Sequence, residues 1–339
     1  MKSIILSLAF ISIISCLSAQ TGKINEYITP GDLEEWVSCL SSDDMKGRAN
    51  GSYEMRLAAM WLAGRFKEFG IQEFKDYPGY IQEYSFSRRG SSVNERNIIG
   101  YVEGSDPELK DEYIIITAHF DHIGIRKGAE GDSIYNGADD NAAGTSTLLG
   151  VAKALQISGK KPGRSLIFAA VSGEEMGLHG SRHLATNSPV PLRSIYTNIN
   201  FEMTGHSEEL GRGNYYMTGC SYSTLDDLVM QFGKGGAITL IDTLAIADRL
   251  FFMSDNLSFS RLKQEDDLMY GIPSGTFVTS TFAPHVHSPL DEVDLFDFDN
   301  MADLVNHFSE MVLFLSYCRE EVVWTDSRFR KLDHDDQQK

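Results

Sequence analysis

Three predicted strands that stop abruptly at histidine or acidic residues place the strongest restriction on how this chain can fold. The strands, each with the residues that follow it, are 113–118 with His119 and Asp121, 165–171 with Glu174 and Glu175, and 195–201 with Glu202. The first two are short apolar runs, which are typical of strands buried on both faces of a sheet. Polar groups at the ends of such strands are costly unless they are paired or coordinated. Because ligands of open α/β sheets bind outside the carboxyl ends of the strands, the sequence predicts a binding crevice there.

Helical patterns separate these strands, and this alternation makes the fold class α/β. Residues 53–69 carry apolar side chains on one helical face, and residues 298–318 have the pattern of a closing helix. Further strands are predicted at 97–102, as the neighbour of 114–118, and at 274–278. The sequence therefore predicts a mixed, mostly parallel central sheet with helices on both faces.

The composition is that of an ordinary globular protein, with 42% hydrophobic and 23% charged residues among 339. The formal net charge of −18 argues against nucleic acid as a partner, because no part of the sequence looks like a patch that would neutralise phosphates. No linker, low-complexity run or internal repeat divides the sequence. We therefore predict a single domain over residues 20–325, followed by a charged, frayed tail over residues 326–339.

The first 19 residues have the pattern of a secretory signal peptide. Lys2 precedes an apolar stretch that is too short for a comfortable membrane span, and Ala19 is the small residue at which cleavage is expected. We expect a secreted or periplasmic protein with no stable membrane span. Two alternatives stay open from the sequence, namely lipid modification at Cys16 and an uncleaved N-terminal anchor.

Two further residues extend the polar set at the strand ends. Asp140 follows the turn at Gly137, and His287 lies in a late loop. Histidine and carboxylate donors without thiolates suit Zn²⁺ or a similar metal ion. Two histidines, two terminal carboxylates and one shared carboxylate form the ligand count of a two-metal hydrolase, which also needs a further carboxylate as general base. The adjacent Glu174 and Glu175 fit the roles of base and ligand.

Five short motifs carry a resemblance to a known family. They are residues 118–122 (AHFDH), 137–144 (GADDNAAG), 174–181 (EEMGLHGS), 200–203 (NFEM) and 287–291 (HSPLD). Together they resemble the zinc-dependent exopeptidases of the bacterial leucyl aminopeptidase type, metallopeptidase family 28. The resemblance extends from about Leu40 to the closing helix, and it implies a fold of the zinc aminopeptidase and phosphorylase-hydrolase type.

The resemblance also implies how two Zn²⁺ ions would be held. Asp140 would bridge both ions, His119 and Glu202 would complete the binding of one, and Glu175 and His287 would complete the binding of the other. Glu202 departs from the family pattern, which usually has aspartate at this position. Its extra methylene group shifts the metal ion or the backbone, so it affects how fully that metal position is occupied and which ion occupies it.

Two more roles follow from the same resemblance. Glu174 would be the general base that deprotonates a water and later the acid that protonates the leaving amine. Asp121 would orient the ring of His119 through the ring nitrogen that does not bind metal.

We therefore predict a secreted dizinc aminopeptidase that removes N-terminal residues from peptides with a free N-terminus and works as a monomer. The first alternative is a single-zinc acyltransferase that resembles secreted glutaminyl cyclases, which share the sequence of residues 180–185 (GSRHLA). A carboxypeptidase acting on small acidic dipeptides is a variant of the hydrolase prediction. A catalytically silent peptide-binding domain is the rival from another class, and the intact Glu174 argues against it.

Overall fold

The computed structural model describes residues 26–126, 131–243, 246–262, 271–280, 285–326 and 328–329. The predicted signal peptide lies outside these residues, as do residues 327 and 330–339 of the predicted charged tail. Within the described residues, no helix combines the length and the apolar character needed to cross a membrane.

Strands and helices alternate along much of the chain, as the sequence predicts. The strands are β1 (Gln72–Glu73), β2 (Ile81–Arg88), β3 (Ser91–Val102), β4 (Tyr113–His119), β5 (Gly124–Ile125), β6 (Ile134–Tyr135), β7 (Ser165–Val171), β8 (Ile195–Phe201), β9 (Asn214–Met217), β10 (Thr239–Ile241) and β11 (Ser274–Val278). The α-helices are α1 (Pro30–Leu40), α2 (Tyr53–Phe69), α3 (Gly144–Ile157), α4 (His179–Thr186), α5 (Leu225–Gly233), α6 (Ala247–Leu250), α7 (Asn256–Ser260) and α8 (Phe298–Tyr317). A π-helical turn, Ala138–Ala143, precedes α3.

The central sheet is mixed, and its four central strands are parallel. The strand order is β1-β3-β7-β4-β8-β11-β9-β10, with β2 paired to β3. Strands β7, β4, β8 and β11 run parallel, whereas β3 and β9 flank them in the antiparallel direction. The predicted fold class is confirmed. The predicted pairing of 97–102 with 114–118 is wrong, because the crossover through α3 inserts β7 between β3 and β4.

Both faces of the sheet are buried, because successive side chains of a strand point to opposite faces. In β4, Ile114 and Ile116 pack in one core cluster and Ile115 packs in another. Helices α1, α2, α3 and α8 cover the first face, and α4 and α7 cover the second. Each fully buried isoleucine contributes roughly 1.5–3 kcal/mol. The sheet is therefore held from both sides, which keeps its strand ends in fixed positions.

Helix α2 shows how local sequence determines the ends of an element. The side chain of Ser52 accepts a hydrogen bond from Met55 N and caps the first turn. Gly70 follows the last turn with φ 77°, a left-handed conformation that glycine adopts without steric cost. The helix consequently begins and ends where the sequence predicts.

Candidate metal centre

The parallel strands β4, β7 and β8 end at one edge of the sheet, where they bring the predicted residues together. His119 is the last residue of β4 and pairs with Val171, the last residue of β7. Glu202 follows β8 directly, and Glu174 and Glu175 follow β7 after a short turn. The hydrogen-bonded pairing of these strands therefore determines the distances between the backbone positions that carry these side chains.

One group of donor atoms, the inner cluster, consists of His119, Asp140 and Glu202. One donor atom of each residue lies within 4.8 Å of the others, and His119 Nε2 is 3.3 Å from Asp140 Oδ1. Zinc bonds of about 2.0–2.1 Å at tetrahedral angles separate ligand atoms by about 3.3 Å. Within the described part of the chain, neither His119 Nε2 nor Glu202 Oε2 has a hydrogen-bond partner, although both atoms are buried. The cluster thus has the spacing and the unused donors of a metal site.

A second group, the outer cluster, consists of Asp140, Glu175, His287 and His122. Nε2 of His287 lies 3.0 Å from Asp140 Oδ2 and 3.2 Å from Glu175 Oε1. Nδ1 of His122 lies 2.9 Å from Glu175 Oε1 and 3.8 Å from Asp140 Oδ2. The side chain of His287 is 50% exposed, so this cluster opens toward solvent, whereas His122 is fully buried.

His122 is the member of this set to which the sequence assigns no role. Its backbone N–H donates to Arg48 O at 3.2 Å, and the residue forms an isolated β-bridge with Ala49. This contact turns the chain beyond the end of β4, so that the ring of His122 faces Glu175. The sequence signal that could have pointed to His122 is that it is a second histidine only three positions after His119.

The position of Asp140 is determined by hydrogen bonds to the backbone around it. The N–H groups of Asp139 and Asp140 donate to the carboxylate of Asp291 at 2.7 and 3.1 Å. The side chain of Asn141 donates to Phe201 O at 3.0 Å, at the end of β8. A carboxylate that accepts from backbone N–H groups at the start of a helical turn stabilises that turn. The turn that carries Asp140 is therefore tied both to a late loop and to the strand that leads to the inner cluster.

Asp121 holds the turn that carries Glu174 and Glu175. Its Oδ1 accepts from Glu174 N at 3.1 Å, and its Oδ2 accepts from Glu175 N at 3.3 Å and from Asn50 Nδ2 at 2.6 Å. Nδ1 of His119 is 3.2 Å from the backbone oxygen of Asp121 and 3.7 Å from its Oδ1. The structure thus places Asp121 next to the His119 ring, with its backbone oxygen as the nearer neighbour, and its carboxylate mainly positions the two glutamates.

Arg48 is a fully buried cation that joins the two loops behind the clusters, and the sequence assigns it no individual role. Its guanidinium donates to Phe120 O at 2.8 Å, Asn136 O at 2.7 Å and Gly137 O at 2.8 Å. Burial lowers the pKa of Arg48 to about 10, and nearby carboxylates oppose this shift. The side chain therefore stays charged at neutral pH and binds the loop after β4 to the loop before Asp140.

The carboxylates of the site are crowded and are buried or half-buried. Burial and neighbouring carboxylates, among them Glu202, raise the pKa of Glu174 well above its usual value, although His119 opposes this. Burial, together with Asp140, raises the pKa of Glu202 to about 7. Burial would also raise the pKa of Asp140, but contacts with His119 and His287 hold it well below its usual value. A divalent cation would compensate this concentration of negative charge.

The donors fit divalent metal ions. The buried donor atoms that lack a hydrogen-bond partner within the described residues include His119 Nε2, His122 Nδ1, Glu175 Oε1 and Glu202 Oε2. Buried polar atoms without partners are rare in proteins, and these four lie around one carboxylate, that of Asp140. Nitrogen and oxygen donors without sulfur suit zinc and similar ions.

A cavity of about 150 Å³ opens beside both clusters. Glu174, Glu202 and His287 line it on the polar side. Its apolar lining consists of Met203, Tyr216, Leu250, Met253, Val278 and Val286. An apolar cavity with a few convergent polar groups is typical of a small-ligand site.

Residues 97–313 match the model of Peptidase family M28. The chain belongs to peptidase family M28. The family inferred from the sequence motifs is therefore confirmed. Among similar proteins, the probable leucine aminopeptidase 1 of Trichophyton verrucosum is 27% identical over 222 residues, which are 62% of this chain and 55% of that protein. The chain spans about half the length of the curated relatives it matches.

Solved structures with a fold similar to that of this M28 protein include two kinds of enzyme. An aminopeptidase from Aneurinibacillus sp. strain AM-1 superposes with a TM-score of 0.67 at 14% identity, covering 91% of this chain and 98% of that one. A glutaminyl cyclase from Porphyromonas gingivalis superposes with a TM-score of 0.62 at 19% identity, covering 84% of this chain and 98% of that one. These likenesses establish the shared fold.

Proposed function

We propose that this M28 protein is a zinc-dependent aminopeptidase that holds two metal ions and uses Glu174 as its general base. The observation that carries the proposal is the gathering, in two clusters that share Asp140, of buried donor atoms for which the described residues offer no hydrogen-bond partner. Family membership and the leucine aminopeptidase among the relatives support the reaction class. The histidine and carboxylate donors support zinc.

Glu174 has the position that a proton carrier needs. It lines the cavity, and its backbone is held by Asp121, while its carboxyl group belongs to neither donor cluster. The ions, when bound, would supply positive charge that lowers the pKa of a water and stabilises the developing oxyanion. Glu174 takes the proton of the attacking water and passes it to the leaving amine. The buried environment that raises its pKa favours this acceptance of a proton.

The cavity supports cleavage at the N-terminal end of a peptide. It has room for about one side chain, and its apolar lining suits an apolar N-terminal residue. Two carboxyl groups at its edge, those of Glu174 and Glu202, suit the positive charge of a free α-amino group. We therefore propose a substrate with a free N-terminus.

The central experiment replaces the base while leaving the donors in place. Glu174→Gln should lower kcat for release of an N-terminal residue by roughly 10²–10⁴-fold, with metal content unchanged by elemental analysis. Glu34→Gln, on the exposed face of α1, is the matched control and should keep wild-type turnover. Wild-type turnover in Glu174→Gln would remove Glu174 as the base, and loss of metal from this variant would place it among the ligands instead.

A second candidate function is that of a single-zinc glutaminyl cyclase. The fold shared with the Porphyromonas gingivalis enzyme favours it, as does glutamate rather than aspartate at position 202. A peptide with N-terminal glutamine separates the two proposals. Ammonia release without peptide-bond cleavage, from protein with one ion per chain, would favour the cyclase. Cleavage of peptides whose amino end is acetylated would instead favour a carboxypeptidase.

We also propose, from the predicted signal peptide over residues 1–19, that the protein is secreted or periplasmic. N-terminal sequencing of the exported protein should begin at Gln20 if cleavage follows Ala19. Light scattering of the purified protein should give the mass of a monomer, and a dimer mass would overturn that part of the proposal.

A further inference from the structure

We propose that His122 is a direct ligand in the outer cluster, so that this cluster offers four protein donors and the inner cluster offers three. The inference rests on the proposed function, because it assumes that the two clusters bind metal ions. It adds a ligand to the set that the sequence motifs imply. It also makes the two ions unequal in how tightly they are held.

The ring of His122 lies as close to the carboxylate of Glu175 as the ring of His287 does. Nδ1 of His122 is 2.9 Å from Glu175 Oε1, and Nε2 of His287 is 3.2 Å from the same oxygen. Both nitrogens also approach Asp140 Oδ2, at 3.8 and 3.0 Å respectively. These separations lie around the roughly 3.3 Å expected between ligand atoms on one zinc ion. The four side chains thus converge in the manner of one donor set.

A hydrogen bond between His122 and Glu175 does not explain the close approach. Despite the 2.9 Å separation, neither His122 Nδ1 nor Glu175 Oε1 has a hydrogen-bond partner within the described residues, so the N–H direction does not fit. His122 Nε2 lacks a partner there as well. Two acceptor atoms at this distance repel each other unless a cation lies between them. Coordination through Nδ1 is the contact that would satisfy the fully buried ring.

The backbone around His122 holds the ring in this position. The N–H of His122 donates to Arg48 O, and Arg48 itself is anchored by the loop that contains Gly137. Gly137 has φ 60°, and a Cβ there would lie 2.5 Å from the ring of His122. Glycine at this position therefore allows the ring to approach the cluster. The ring is held by several contacts, as a ligand that binds without rearrangement would be.

The extra donor has a consequence for metal loading. Four protein ligands are typical of zinc sites that hold their ion firmly, whereas three leave an open position for water or substrate. The outer cluster would accordingly load first and release its ion last. The inner cluster, with three donors, would load second and lose its ion first during dialysis against a chelator.

Nuclear magnetic resonance of the full chain, labelled with ¹⁵N-histidine and loaded with ¹¹³Cd²⁺, tests the ligand directly. Nitrogens of three histidines, His119, His122 and His287, should show scalar coupling to cadmium in the wild-type protein. Two should remain coupled in His122→Ala. Coupling of only two histidines in the wild type, with His122 uncoupled, would overturn the inference and leave the proposed function intact. A protein that binds no cadmium or zinc would overturn the proposed function itself.

Zinc competition with a chromophoric chelator supplies a second measurement. His122→Ala and the bulkier His122→Gln should each weaken the tighter of two zinc affinities by at least about tenfold. His183→Ala, a half-buried histidine on α4, is the matched control and should leave both affinities unchanged. Circular dichroism and thermal melting of the metal-free variants check the fold. Unchanged affinities in both folded His122 variants would overturn the inference.

Discussion

The inner and outer clusters share Asp140, yet they are built from different parts of the fold. The inner cluster takes His119 from the end of β4 and Glu202 from the end of β8, which are adjacent parallel strands. The outer cluster takes His287 from a loop, with its side chain half exposed. The hydrogen-bond ladder of the sheet therefore positions His119 and Glu202, and contacts between loops position Asp140 and the outer donors.

This difference shows what kind of support each cluster needs. Strand register alone brings His119 and Glu202 near each other, because parallel neighbours end side by side. Asp140 and the outer donors depend on residues that bind no ligand in our proposal, chiefly Arg48, Asp121 and Asp291. Most of the hydrogen bonds that these three side chains make within the described residues join them to backbone groups of the loops that carry the donors. Substitutions should therefore affect the two clusters in different proportions.

Removal of Arg48 should have the largest effect, because it supports both clusters from behind. Arg48→Ala leaves several buried carbonyl oxygens without their donor and should lower the free energy of unfolding by about 3–5 kcal/mol. Urea denaturation of the metal-free protein measures this change. Arg56→Ala, an exposed position on α2, should change the same quantity by less than about 0.5 kcal/mol. Equal effects of the two variants would contradict the structural role of Arg48.

Removal of the shared carboxylate should weaken both clusters. Asp140→Ala takes one donor from each, so both zinc affinities should fall by more than about tenfold. Elemental analysis after gel filtration should then find less than one ion per chain. The exposed Asp111→Ala is the control and should retain the wild-type content. Retention of one tightly bound ion in Asp140→Ala would mean that one cluster is complete without the shared carboxylate.

A shorter side chain at position 202 should affect the inner cluster alone, and the effect should be smaller. Glu202→Asp withdraws the carboxylate by about one carbon–carbon bond from His119 and Asp140. We expect the weaker zinc affinity to fall by about tenfold while the tighter one stays unchanged, as measured by competition titration. Glu208→Asp, at an exposed position in the loop after β8, is the control. A change in both affinities would show that the clusters are coupled through Asp140.

The residues at strand ends could be predicted from the sequence because two simple patterns coincide there. A run of five to seven strand-forming residues indicates a buried strand, and a titratable residue directly after it must face a ligand or a partner. This argument locates His119 and Glu202, which the structure places together with Asp140. The assignment of Glu175 and His287 to one ion needed the family resemblance as well, because strand ends alone do not show which donors share an ion.

The strand order, the contribution of His122 and the role of Arg48 could not be predicted in this way. The position of β7 between β3 and β4 depends on how the α3 crossover packs, which local pattern does not encode. The side chain of His122 reaches Glu175 through a turn made by its contact with Arg48. An arginine in a loop is usually exposed, and only the folded structure shows that this one is buried.

The sequence by itself determined which side chains stand at the carboxyl edge of the sheet. Hydrophobic periodicity is local, and it determines where strands end regardless of how the rest of the chain packs. Only the tertiary structure decided which of those side chains share a space, because that depends on loops tied down by distant residues such as Asp291. The donors around Asp140 therefore differ in what holds them: the ladder of the sheet positions His119 and Glu202, and long-range contacts between loops position Asp140 and the outer donors.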